Sequence, residues 1–212
     1  MVAANAATLM ELRADSSANW NFHAVRVLLE TSSALQIFEA SVAVADRDRQ
    51  AARAMLRNEP PFQAVRLRRL LSGSFPTHHE AIQFCSDIRC HASLKELVLY
   101  SVRLDMYGVM GAVVDACIAL RLCKLDLQMC RAVPAALPEL TRLIAAGALR
   151  ELESFDNCGR FDIFDEPHDD ASEGLFVAAL QASAMTTLRL NGVLGAPESV
   201  VEAAVFINAR QQ

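Results

Sequence analysis

Aromatic residues are scarce in this 212-residue chain: one Trp, two Tyr and ten Phe make up 6% of it. Large irregular cores draw heavily on aromatic bulk, whereas the Ala, Leu and Val that dominate here suit many small, similar layers. Positive charge is also in short supply. Twenty Lys and Arg face 25 Asp and Glu, a net charge of −5, which argues against affinity gained by neutralising phosphates and so against a nucleic-acid partner. No apolar run approaches the roughly 20 residues that cross a bilayer; one of the longest, Val109 to Ala119, is broken by Gly111 and Asp115. No membrane association is therefore expected. Met1 to Met10 contains no basic residue and runs straight into Glu11, which does not fit a secretory signal and leaves a cytoplasmic location as the expectation. The chain has no G-x-S-x-G, no P-loop, no dinucleotide fingerprint and no H-E-x-x-H, so the expectation is a non-enzyme without a cofactor.

What is present is apolar mass, 53% of the residues, ample for a substantial core. Cys85, Cys90, Cys117, Cys123, Cys130 and Cys158 are scattered through it, the pattern of reduced, mostly buried thiols rather than a disulfide framework. Leucine recurs at a fixed period. Leu122, Leu125, Leu127, Cys130 and Val133 fill L-x-x-L-x-L-x-x-N/C-x-L at each fixed position. Leu94, Leu97 and Leu99 repeat it upstream with Leu104 near the end, and Leu149 and Leu152, then Met185, Leu188 and Leu190, repeat it downstream. Leu9 and Leu12, Leu35 and Phe38, and Leu67 and Leu70 open three earlier copies. Val65, Leu67 and Leu71 leave the register of the third copy open to a shift of a few residues.

The seven units span 9–34, 35–66, 67–93, 94–121, 122–148, 149–184 and 185–212, and together they read as one domain over 1–212. Each x-L-x-L stretch alternates with the period of a strand. Helical periodicity follows in each unit, over Asn21 to Glu30, Arg47 to Leu56, Thr77 to Asp87, Tyr107 to Leu120, Ala136 to Ala146, Ser172 to Ala182 and Pro197 to Ala209. Thr77-His-His-Glu80 has the form of a capping box, Pro197 sits at a helix start, and Gly147 marks a left-handed stop.

On these motifs the chain resembles leucine-rich repeats of the ribonuclease-inhibitor type, from Leu9 to the C-terminus. The resemblance implies an α/β solenoid curved into a horseshoe, with a parallel sheet on the concave side and helices on the convex side, used mainly for protein recognition. It also implies that the Asn/Cys position bonds to backbone in the loop leaving the strand. Cys130 and Asn157 fit that position; Ser17, Ala43, Val102 and Val193 depart from it, and Ser72 and Ser154 stand where leucine is usual.

A repeat unit cannot bury both apolar faces alone, so neighbours supply its stability. Leu97, Leu125, Leu152 and Leu188 should form one buried column, with Leu99, Leu127 and Leu190 in the next. The terminal layers are exposed by the same logic. Either a longer protein or association through the solenoid ends is expected to protect them.

Alternation turns the residues between the fixed leucines to solvent. Glu39, Arg69, Val98, Tyr100, Lys124, Asp126, Gln128, Glu153, Phe155, Arg189 and Asn191 are the candidate partner-binding residues on that concave face. Tyr100 and Phe155 are aromatic anchors, and Arg69, Lys124 and Arg189 are suited to a partner's acidic groups. The expected function is a protein–protein interaction module; a regulator of a small GTPase and a self-assembling structural protein are the alternatives. The longest unit carries an acidic insertion over 156–173 containing Phe161, Ile163 and Phe164, readable as a mobile loop or as a site for a basic partner. His78, His79, Cys85, Cys90 and His91 crowd one unit, but without the short pairs of a zinc site, so no metal is expected. Trp20 is read as packing at the first layer.

Overall fold

The computed structural model describes residues 10–13, 19–32, 35–45, 48–73, 75–155, 163–164, 170–191 and 196–210. Among them are eight strands: β1 (Glu11–Arg13), β2 (Asn19–Asn21), β3 (Ile37–Val44), β4 (Val65–Ser72), β5 (Glu96–Tyr100), β6 (Lys124–Gln128), β7 (Glu151–Phe155) and β8 (Thr187–Asn191). Seven α-helices alternate with them: α1 (Phe22–Thr31), α2 (Arg49–Leu56), α3 (His78–Asp87), α4 (Val109–Leu120), α5 (Leu137–Ala145), α6 (Asp170–Ala182) and α7 (Glu198–Ala209). All strand pairings are parallel and follow chain order from β3 to β8, while β1 and β2 both pair with β3 at one edge. The sheet is open, and from α2 onward each helix packs on the next. No described helix is long and apolar enough to cross a membrane.

The local signals act as chemistry requires. Thr77 caps α3 by accepting the Glu80 amide at 3.2 Å, Asn21 caps α1 through the Ala24 amide at 2.8 Å, and Gly147 follows α5 at φ +75°. Pro197 stands at the N-cap of α7, one place earlier than a first-turn proline.

Across the sheet, Leu70, Leu97, Leu125, Leu152 and Leu188 are successive register partners, followed by Ser72, Leu99, Leu127, Ser154 and Leu190. The leucines of these rows join helix residues such as Phe84, Val113, Leu140, Phe176 and Val200 in one apolar cluster running through the chain, with Leu190 only partly buried against it. The helices thus cover one face of the sheet. Ser72 and Ser154 are buried in the second row, and their hydroxyls have no hydrogen-bond partner among the described residues.

The second unit departs from the expected register. Val42, not Phe38, lies opposite Leu70; Phe38 pairs with Val65 and Leu12. Within this pairing lies a bulge, in which Ala40 pairs with Leu67 and Ser41 with Arg69, leaving Arg68 unmatched. One extra residue shifts the alternation by one place, and the sequence Val65-Arg-Leu-Arg-Arg-Leu70 shows that shift as two adjacent arginines. Trp20 packs edge-on against Phe38, ring centroids 5.3 Å apart, at this end of the core.

At the opposite edge, Asn208 of α7 reaches the backbone of β8. Its carboxamide accepts the Leu188 N–H at 3.0 Å and donates to the Leu188 carbonyl at 2.9 Å. Those are the two groups a ninth parallel strand would need there. A side chain has therefore blunted an open sheet edge.

Gly174 lies inside α6, and apart from the helix's own backbone a Cβ added to it would meet no described atom within 4 Å. Interior glycine costs a helix about 1 kcal/mol relative to alanine. Gly174→Ala is accordingly expected to stabilise the chain by about 1 kcal/mol, seen as a higher urea midpoint at unchanged slope; a lower midpoint would mean that the position is sterically closed.

Candidate functional site

The sheet face opposite the helices carries three rows of side chains, set by strand alternation and parallel register. The first runs Arg69, Glu96, Lys124, Glu151, Thr187; the second Leu71, Val98, Asp126, Glu153, Arg189; the third Tyr100, Gln128, Phe155, Asn191. Ten of the eleven sequence-selected residues fall in these rows, and the eleventh, Glu39, lies on β3 beside Arg13 of β1. The side chains of Phe155 and Asn191 lie outside the described part of the structure, so their backbone register alone places them.

Exposure along the rows is uneven. Tyr100 is 44% exposed, the one strongly exposed large apolar residue among the described strand residues that follow Arg13. Val98 is the correction: expected to face a partner, it is 0% exposed, although it stands outside the main core cluster. Leu71 and Asp126 flank it on the neighbouring strands. Asp126 is only 6% exposed.

The cations of this face are already engaged. Arg69 lies 3.6 Å from Glu96, Lys124 is 3.1 Å from Glu151 and 3.2 Å from Glu153, and Arg189 is 3.6 Å from Glu153. Glu39 sits between Arg13 at 3.7 Å and Arg68 at 3.4 Å. Burial by itself lowers the pKa of Lys124, but its hydrogen bonds to Glu151 and Glu153 outweigh that and raise it. Sequence spacing put these residues on one face; it did not show that opposite charges on adjacent strands would meet.

Asp126 is the exception, a carboxylate among pairs whose Oδ2 accepts from Gln128 Nε2 at 2.7 Å. Burial raises its pKa, the Gln128 bond opposes that rise, and the nearby Glu153 charge adds to it. The folded chain thus holds this proton more tightly than the unfolded chain. The contribution favours folding below the unfolded value of about 3.9 and is lost as pH climbs through the raised folded value. At neutral pH the charged form is a cost. Asp126→Asn keeps an acceptor for Gln128 and should raise stability by about 0.5–2 kcal/mol at pH 7, with the gain shrinking toward acid pH. Urea melts at several pH values measure this; a pH-independent difference would contradict it.

Other sequence candidates resolve into packing. Cys130 Sγ lies 3.4 Å from the carbonyl of Leu99, inside β5, whereas its repeat position implies a bond to backbone in the loop leaving the strand. The Cys85 thiol is buried and pushed up to about 12 by desolvation. His91 is buried with Nε2 2.9 Å from the Met55 carbonyl, and burial lowers its pKa. Cys90 lies against the Leu56 carbonyl, and His78 and His79 are exposed at the start of α3. Of the acidic insertion, 156–162 and 165–169 lie outside the described residues. Ile163 and Phe164 do not form a surface: both are buried, with Phe164 against Phe176 of α6 at 5.9 Å.

Sequence reading missed Asp87, whose carboxylate accepts from Arg57 Nε at 2.8 Å, Gln83 Nε2 at 2.9 Å and Arg53 Nε at 3.3 Å. The available signal was spacing: Arg53 and Arg57 precede it by about one repeat length. The chain matches no protein-family model, and no curated protein is similar to it in sequence.

Proposed function

We propose that the chain is a leucine-rich-repeat solenoid that binds a protein partner through the strand face opposite its helices. The observation that carries this reading is that face itself: an ordered parallel array with Tyr100 exposed at the end of β5, beside a lattice of opposite charges and the buried carboxylate of Asp126. Buried carboxylates held with a raised pKa concentrate at functional surfaces. The ion pairs are no obstacle, since exposed pairs contribute little and exchange readily for a partner's charges. Tyr100 supplies the rigid, amphipathic area typical of a binding anchor.

The blocking of Leu188 by Asn208 favours this reading over assembly by strand addition at β8, because such assembly must first displace the carboxamide. The experiment is crosslinking and affinity capture from the native cell, followed by a measured Kd for the captured protein. Tyr100→Ala is expected to weaken that Kd about 10- to 30-fold, equivalent to about 1.4–2 kcal/mol, and Val27→Ser on the helix side to leave it unchanged. Equal Kd values for wild type and Tyr100→Ala would remove the strand face from the interaction.

A further inference from the structure

Successive helices on the outer side of the molecule are clasped by ions as far as α5: Arg89 of the turn after α3 reaches Asp115 of α4 at 3.7 Å, and Asp115 meets Arg142 of α5 at 2.8 Å. The last pair, α6 and α7, is held differently. Ser199 Oγ donates to Glu173 Oε1 at 2.6 Å near one end, and Arg210 donates to the Ser183 and Gln181 carbonyls at 2.7 and 3.3 Å near the other. Between these clasps several of the facing residues are small. Gly174, Ala178 and Ala203 line two adjoining cavities of about 340 and 470 Å³ that share Val177, Gln181 and Ser199, forming one groove along the helix pair.

Three further features bear on what would fill it. Gly174 weakens its helix, yet apart from the helix's own backbone no described atom comes within 4 Å of where its Cβ would stand, so packing among the described residues gives no reason for the missing side chain. Of the eight large apolar side chains exposed among the described residues, Phe206 lines this groove, and the partly buried Val177 lines both of its halves. The groove walls carry the carboxylates of Asp170 and Glu202, while Glu173 is bonded to Ser199, and Arg210, the cation among the described lining residues, is committed to its two carbonyls and lies 4.6 Å over the Phe206 ring. Apolar contacts at Val177 and Phe206, a small-residue floor and the carboxylates of Asp170 and Glu202 describe the complement of one object.

We propose that the α6–α7 groove is a second docking surface, which receives an amphipathic helix of a protein partner with an apolar stripe and Lys or Arg beside it. The stripe lies over Gly174, Val177 and Phe206, and the basic residues meet Asp170 and Glu202. Helix-in-groove recognition requires apolar groups at i, i+3/i+4 and i+7, and about 12 residues, roughly 18 Å of helix, match the length of α6. This surface is separate from the strand face and does not depend on it.

The test is selection of a displayed random library of peptides about 16 residues long on the intact chain and on Gly174→Trp, whose Cβ meets no described atom beyond its own helix backbone within 4 Å and whose ring is large enough to fill the groove floor. Peptides enriched on wild type should carry Lys or Arg beside an apolar stripe. Their Kd should weaken at least about 10-fold in Gly174→Trp and with rising salt, and stay unchanged in Tyr100→Ala. Thermal melts of the variant establish that it is folded; should Gly174→Trp not fold, Asp170→Lys with Glu202→Lys replaces it, with the same expected loss. No enrichment, enrichment of acidic peptides, binding that survives these variants, or a concentration-dependent mass showing that a second copy fills the groove would each overturn the proposal.

Discussion

Leu125→Ala is expected to lower the folding free energy by about 3–5 kcal/mol, the largest effect of any single truncation considered for this chain. Leu125 is 0% exposed and lies between Leu97 and Leu152, its register partners on both sides. Truncation loses the burial of the side chain and leaves a cavity whose cost depends on how far the surroundings collapse. Here the walls are two strands fixed by their own ladders, so little collapse is available and the upper part of the range applies. Urea unfolding monitored by circular dichroism reads the change. A midpoint within error of wild type would mean that Leu125 does not share an interior with its neighbours.

Asp87→Ala should cost about 2–3 kcal/mol. Its side chain is 5% exposed and gathers three donors, two of them arginines from α2 and the turn after it, so it ties that unit to α3. The bond to Asp87 also raises the Arg57 pKa, so the guanidinium stays charged throughout the accessible range. The loss is smaller than for a fully buried ion pair because Arg53 and Arg57 are 42% and 38% exposed and return to water when the carboxylate is gone. Because the acceptor is buried, the loss should persist in high salt, unlike that of a surface pair. A difference that vanished in 1 M NaCl would place the interaction at the surface (the Debye length there is about 3 Å).

The column Leu97, Leu125, Leu152 and Leu188 was legible in the sequence because parallel strands taken in chain order place equal repeat positions side by side. The helices were legible for a similar reason, a 3.6-residue period with caps such as Thr77 and a stop at Gly147. Arg68 was not legible as a bulge: two adjacent arginines in an alternating strand look the same as an uncertain phase, and only pairing with Ala40 and Ser41 distinguishes them. Val98 was misplaced because alternation assigns a face but not an exposure, and its burial depends on residues of two other strands. The meeting of Lys124 with Glu151 and Glu153, and of Asn208 with Leu188, joins positions whose proximity follows from register and helix placement rather than from local pattern.

The proposed stack of repeats makes a nearest-neighbour claim, and double-mutant cycles test it most directly. Leu97→Ala combined with Leu125→Ala should show a coupling of about 0.5–3 kcal/mol, whereas Leu70→Ala combined with Leu188→Ala, three strands further apart, should be additive within about 0.5 kcal/mol. Additivity for the adjacent pair, or equal coupling for both pairs, would contradict the layered interior on which the strand face depends.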